Sequence, residues 1–254
     1  SFFLMIRRPP RSTPLYSSEA SYVYKRQKNA DSKKIIESYS SNFKIKIIYQ
    51  HNKGLNVTNN IAARAATGKY IIRLDADDYF ATNALEQMSG KLEANCELGM
   101  VFPNYYYIDE NDRIIGEEIR HDFDNNEVSL LDQPAHGACT MIRTDFLNEI
   151  GGYDESFNCQ DGYELWIKFT QRYKVSNLKE PLFYYRKHGS NLTSNEELIL
   201  KTRAKINQKY INKLQTDNST LVVIPIRGGD KDLSLIHISE PTRPERLSDG
   251  VLCF

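Results

Sequence analysis

No stretch of this chain is apolar for more than about six residues, whereas roughly 20 are needed to cross a bilayer. A membrane-spanning helix is therefore not expected. Net charge is also missing: 33 Lys and Arg balance 33 Asp and Glu over 254 residues. That excludes a broad basic footprint, and with it nucleic acid as an expected partner. No charged start, apolar middle and small-residue cleavage site marks a secretory signal. Cysteine is scarce, with four residues and no C-x-x-C spacing, which argues against a zinc site or disulfide framework and fits a reducing, cytoplasmic compartment. Cys96, Cys139 and Cys159 read as small buried apolar residues. No repeat of 20–50 residues is visible, so a solenoid is not expected.

What is present divides into a patterned middle and two unpatterned ends. Residues 1–27 and 234–254 cluster Arg, Pro and Ser without a period of 2 or 3.6. Both resemble translated adapter sequence and are read as non-native or disordered tails with no core. In the middle, Lys44–Tyr49 reads as a strand. Val57, Ile61 and Ala65 form one helical face ended by Gly68. Tyr70–Leu74 is a short strand buried on both faces. Thr82 is a helix cap, with Leu85, Met88 and Leu92 turned inward. Gly99–Phe102 and Cys139–Ile142 are further strands, and Thr144 caps a short helix that stops at Gly151-Gly152. Leu165, Trp166 and Phe169 mark another helix. Ser194–Glu197 is a capping box before a long helix with Ile199, Ile206 and Tyr210 inward. Strands alternating with helices predict an α/β layered domain.

The residues with evident chemistry begin at Asp75-Ala76-Asp77-Asp78. A buried strand running into D-x-D-D places carboxylates at the carboxyl edge of a sheet, where open α/β sheets bind ligands. In an extended segment Asp75 and Asp77 would point to one side. Two such charges repel unless a cation sits with them, and Mn²⁺ or Mg²⁺ suits hard oxygen ligands shared with substrate phosphates.

A long composite surrounds this cluster: Asn52-x-Gly54-Leu55, Asn60, Ala66-x-Gly68-x-Tyr70-Ile71, then Leu74-Asp75-x-Asp77-Asp78. In residue type and spacing it resembles the family 2 glycosyltransferases, which have the GT-A fold. The resemblance continues through Ala135-His136-Gly137-Ala138, Gly151-Gly152-Tyr153-Asp154-Glu155, Gln160-Asp161-Gly162 and Tyr185-Arg186-Lys187-His188-Gly189, and covers roughly residues 28–215. It implies a mostly parallel central sheet with flanking helices, and metal-dependent, inverting transfer of a sugar from a nucleotide-diphospho-sugar donor to an acceptor hydroxyl. The acceptor expected is a saccharide or lipid-linked saccharide, in surface polysaccharide or glycolipid synthesis, with possible peripheral association at the inner membrane face.

Residue by residue, the resemblance puts Asn52, Gly54, Asn60, Arg64, Asp75, Arg186 and His188 on the donor side and Asp77 on the metal. It puts His136, Gly137, Gly152, Tyr153 and Asp154 on the acceptor side. Asp161 takes the place of the general base, with Glu164 the alternative, because Gly162 looks inserted where the family has Glu-Asp at the helix start. His51, His121 and His237 receive no role. Family members open with strands that hold the base and ribose; none is visible before Lys28, so the domain is read as incomplete at its N-terminus and as a weak donor binder. Leu221–Lys231 resembles the opening of a cytidylyltransferase, making 216–233 a linker and possible start of such a domain. A nucleotidyltransferase fusion fragment and an inactive sugar-binding remnant are the alternative readings.

Overall fold

The computed structural model describes residues 2–6, 18–25, 37–38, 40–41, 45–50, 53–120, 137–157, 159–188 and 196–216. Its strands are β1 (Phe2–Ile6), β2 (Ser18–Lys25), β3 (Ile45–Gln50), β4 (Tyr70–Leu74), β5 (Tyr79–Phe80), β6 (Leu98–Ile108), β7 (Ile114–Glu118), β8 (Met141–Arg143) and β9 (Lys174–Arg186). Its helices are α1 (Leu55–Ala65), α2 (Ala84–Ala94), α3 (Thr144–Glu149), α4 (Asp161–Thr170) and α5 (Glu196–Thr216). Among the described residues the strands form one sheet in the order β3-β2-β1-β4-β8-β6-β9-β5, with β7 pairing β6. No described helix is long and apolar enough to cross a membrane.

The α/β class is as expected, but the sheet is mixed rather than mostly parallel. Among the described strands, β2–β3 and β6–β9 pair in parallel. β8 runs antiparallel between β4 and β6, and β1 runs antiparallel between β2 and β4. Because β8 reverses direction between them, β4 and β6 point the same way, and β9 follows β6. The carboxyl ends of β4, β6 and β9 therefore share one edge of the sheet.

No element is expected before residue 28, yet the structure sets Phe2–Ile6 and Ser18–Lys25 as strands. The register pairs Phe2 with Leu74 and Ile6 with Tyr70. The physical reason lies in β4: a central apolar strand with an open edge presents unpaired amides and carbonyls to any extended segment nearby.

Two apolar layers flank the sheet. On one side α1, α4 and α5 enclose Trp166, Phe102, Phe169 and Ile206. On the other, α2 lays Ala84, Met88 and Leu92 over Tyr70, Ile72 and Val101. The periodicities for α2, α4 and α5 point the right way: Met88, Leu92, Leu165, Trp166, Phe169, Ile206 and Tyr210 are all buried. That for α1 does not. Asn56, Asn59, Asn60 and Ala63 are buried there, whereas Val57, Ile61 and Ala65 are only partly covered. Hydrogen bonding lets an asparagine face go inward. Cys139 and Cys159 are buried, but Cys96 is exposed, contrary to expectation.

Candidate functional site

At the carboxyl end of β4 stands a residue that the sequence reading passed over. Arg73 is 4% exposed, in an otherwise apolar strand. Its guanidinium meets Asp161 at the first position of α4 and Asp75 just past the strand, the latter at 3.2 Å from Nε. Burial works against the charge, and Asp161 and Asp75 outweigh it, so the pKa of Arg73 lies above the ordinary arginine value. The cue was available: a charge inside a fully buried strand must have partners. Asn59 completes the group. With its amide oriented to satisfy both ends, its nitrogen donates to the Leu55 carbonyl at 3.2 Å and its oxygen accepts from Arg73 Nη1 at 3.3 Å.

Gly137 closes over this trio. A Cβ there would run into Asp161 Oδ2 and lie 3.1 Å from Arg73 Nη1. The adjacent backbone is tied to β4 through the Cys139 amide donating to the Arg73 carbonyl at 3.1 Å. This position is thus a glycine because the carboxylate occupies the space a side chain would need.

Asp75 and Asp77 do not point to one side as a continued strand would require. The segment turns, with the Asp78 amide donating to the Asp75 carbonyl at 3.2 Å. Asp75 consequently faces Arg73, while Asp77 Oδ2 lies 2.8 Å from His188 Nε2. Both Asp77 and His188 are open to solvent, at 41% and 25% side-chain exposure. Asp78 goes inward and accepts from the Arg186 amide at 2.9 Å. Burial pushes its carboxyl up to about 7, against that amide and helped by the charges of Asp77 and Asp75.

Arg186 has a different geometry from that of a side chain reaching out to a diphosphate. Its guanidinium donates to the carbonyls of Asp77 at 2.9 Å and Asp109 at 2.6 Å and pairs with Asp112. It clamps the acidic turn to the β6–β7 connection.

Two other residues expected on the donor side contact the 151–155 loop. Asn60 donates from Nδ2 to the Tyr153 carbonyl and to Glu155 Oε1, both at 2.8 Å, and accepts the Tyr153 amide at 2.8 Å. Arg64 extends toward Glu155 at 4.0 Å. Both serve the 151–155 loop because helical spacing carries one face of α1 across it. Gly152, with φ of 67°, brings its backbone close enough that a Cβ would meet Asn60 Oδ1. Tyr153 is buried, and Asp154 pairs with Lys209 on α5. Gly54 precedes α1 with φ of 95°, and its carbonyl accepts from Thr58 Oγ1 at 2.8 Å. Asn52 and His136 lie outside the described residues, as does the Leu221–Lys231 segment.

Of the two alternative bases, Asp161 reaches Arg73, which in turn pairs with Asp75 of the acidic turn. Glu164, one turn further along α4, is directed to Tyr210 and Lys168 instead. The sheet edge therefore joins the start of a helix, an acidic turn and a glycine cradle around a buried arginine. A model of the family described as Glycosyl transferase family 2 matches residues 27–151.

The chain carries a family 2 glycosyltransferase domain.

An uncharacterized glycosyltransferase of Methanocaldococcus jannaschii is 30% identical over 165 residues, covering 62% of this chain and 56% of that protein. Chondroitin synthase of Escherichia coli is 24% identical over 155 residues, 61% of this chain and 22% of the synthase. The chain thus spans about half or less of the length of these two relatives. Among solved structures, S. aureus TarS superposes with a TM-score of 0.55 at 17% identity, over 76% of this chain and 34% of TarS. Residues 1–349 of TarS in complex with UDP-GlcNAc superpose with a TM-score of 0.52 at 17% identity, over 69% of this chain and 51% of that one. At these identities the structural likeness establishes the GT-A fold of the glycosyltransferase domain.

Proposed function

We propose that this family 2 glycosyltransferase domain transfers a sugar, with inversion, from a nucleotide-diphosphate donor to the hydroxyl of a saccharide acceptor. The observation that carries the reading is the Asp161–Arg73–Asp75 trio, which couples the residue at the base position to the acidic turn. Arg73 fixes the orientation of both carboxylates. Asp161 takes the proton of the attacking hydroxyl, and the donor phosphates lie along the Asp75–Asp78 turn on the opposite side of the anomeric carbon. The arrangement follows the logic of inverting hydrolysis with a sugar hydroxyl in place of water. The ligands held by the structural neighbour TarS, UDP and UDP-GlcNAc, favour a uridine-diphosphate-sugar donor.

Mn²⁺ or Mg²⁺ fits the acidic turn. Asp77 and His188 converge from two elements on a solvent-facing point, a carboxylate oxygen and a ring nitrogen 2.8 Å apart. Phosphate oxygens and water would complete the coordination of an ion held there. When bound, the ion neutralises charge on the departing diphosphate.

The test is UDP release from a panel of UDP-sugars at millimolar donor, with Mn²⁺ and with EDTA. Asp161→Asn is expected to reduce transfer by at least about 100-fold, the scale of a lost general base, while donor binding by titration calorimetry persists. Full activity in Asp161→Asn, or binding unaffected by Asp77→Asn and His188→Ala together, would overturn the assignment.

A further inference from the structure

Asp161 is the first of four polar residues, with Glu164, Lys168 and the C-cap Gln171, that recur along one stripe of α4 and its C-terminal cap. The first reaches Arg73. The other three line a separate cavity of about 730 Å³ between α4, the 151–155 loop and the C-terminal half of α5. Its size is that of a small-ligand site.

Glu164 is the anomaly in its wall. It is 1% exposed. Oε1 accepts from Tyr210 at 2.8 Å, but Oε2 has no hydrogen-bond donor and only the Lys168 ammonium at 3.6 Å. A buried carboxylate oxygen left in that state is costly unless something supplies a donor. Lys168 is itself engaged by the Gly152 carbonyl, and Lys209 is engaged by Asp154. The lining therefore offers carboxylate acceptors, ammonium donors and the rings of Tyr153 and Tyr210. With Asp154, Glu155 and Glu164 against Lys168 and Lys209, neither a strongly anionic nor a strongly cationic ligand is favoured. A neutral, hydroxyl-rich ring is matched: hydroxyls donate to Glu164 Oε2 and accept from the ammonium groups, while the tyrosines cover C–H faces.

One residue links the cavity to the reaction site. Tyr153 lines it and is buried within electrostatic reach of Arg73 and Asp161. We propose that the cavity is a subsite for a neutral saccharide ring of the acceptor, one or more units away from the reacting hydroxyl, recognised through Glu164 and Lys168. The proposal rests on the glycosyl-transfer reading above and extends it from a single hydroxyl to an oligosaccharide.

The experiment follows chitotriose, cellotriose and maltotriose by saturation-transfer NMR on the full chain, in parallel with donor hydrolysis in water. At least one trisaccharide is expected to bind saturably. Gln171→Trp, which fills the cavity mouth, should abolish that binding and leave donor hydrolysis unchanged. Glu164→Gln should weaken binding at least tenfold with the fold intact by circular dichroism. Absence of saturable binding to all three sugars, or binding that survives Gln171→Trp, would overturn the subsite. Absence of donor hydrolysis in the wild type, with sugar binding present there and blocked by Gln171→Trp, would instead refute the transferase reading and leave the subsite standing.

Discussion

Arg73 carries more of this site than any residue whose type advertises chemistry. Two carboxylates depend on it, so Arg73→Met should cost about 3–5 kcal/mol, the scale for removing one partner of a buried ion pair. Chemical denaturation is the measurement, and a loss under 1 kcal/mol would mean that solvent replaces the arginine. Gly137 makes the complementary prediction. Gly137→Ala forces Asp161 and Arg73 apart, and a displacement of that kind is expected to lower turnover about 100-fold with a much smaller change in stability. Asp78 supplies a pH signature. In the unfolded chain its carboxyl titrates near the ordinary value of about 4, and in the fold near 7. The folded state thus binds the proton more tightly. Its stabilising contribution is present at acid pH and is lost as pH rises through 7. Asp78→Asn should remove this dependence, stabilising the protein at pH 8 relative to wild type by on the order of 2–4 kcal/mol and changing little at pH 4. Thermal unfolding in EDTA at the two pH values checks it, and an equal shift at both would contradict the burial argument.

At the scale of elements, the site is assembled by connections between a helix and a loop that lie some 90 residues apart in the chain. Asn60 holds the Tyr153 backbone from both sides and Glu155 as well. Its truncation to alanine should cost about 1–3 kcal/mol through the buried amide and carbonyl left unpaired. It should also abolish the hydrogen-exchange protection of the Tyr153 amide, whereas protection in α2 should be unchanged. Periodicity in the sequence found most helices, since α2, α4 and α5 bury apolar stripes. It misjudged the inner face of α1 because an asparagine counts as polar until its partners are known, and those partners are remote in sequence. The Asp75–Asp78 segment failed for a related reason: a local i to i+3 hydrogen bond bends it, so alternation along a strand no longer says which carboxylates share a side.

Over the whole molecule, the apolar layers lie on both faces of a sheet whose direction changes at β8 and β1. β4 is held between these two, and among the described residues its β1 side is covered by Phe2–Ile6. Deleting residues 1–26 should therefore expose that edge and promote self-association. Size-exclusion chromatography with light scattering is the check, and a shortened chain that stays monomeric at 100 µM, a concentration on the order at which exposed edges associate, would show that another segment covers β4.

The sequence by itself determined the class of fold, the acidic cluster after β4, the helix that begins at Asp161 and the glycines around them, because these depend on period, spacing and local backbone demands. Only the tertiary structure decided that Arg73 links Asp75 to Asp161, that Glu164 belongs to a different cavity and that Asn60 and Arg186 hold loops in place. Those assignments concern which side chains meet across long stretches of chain, and a contact of that kind exists only once the sheet and its two layers have packed.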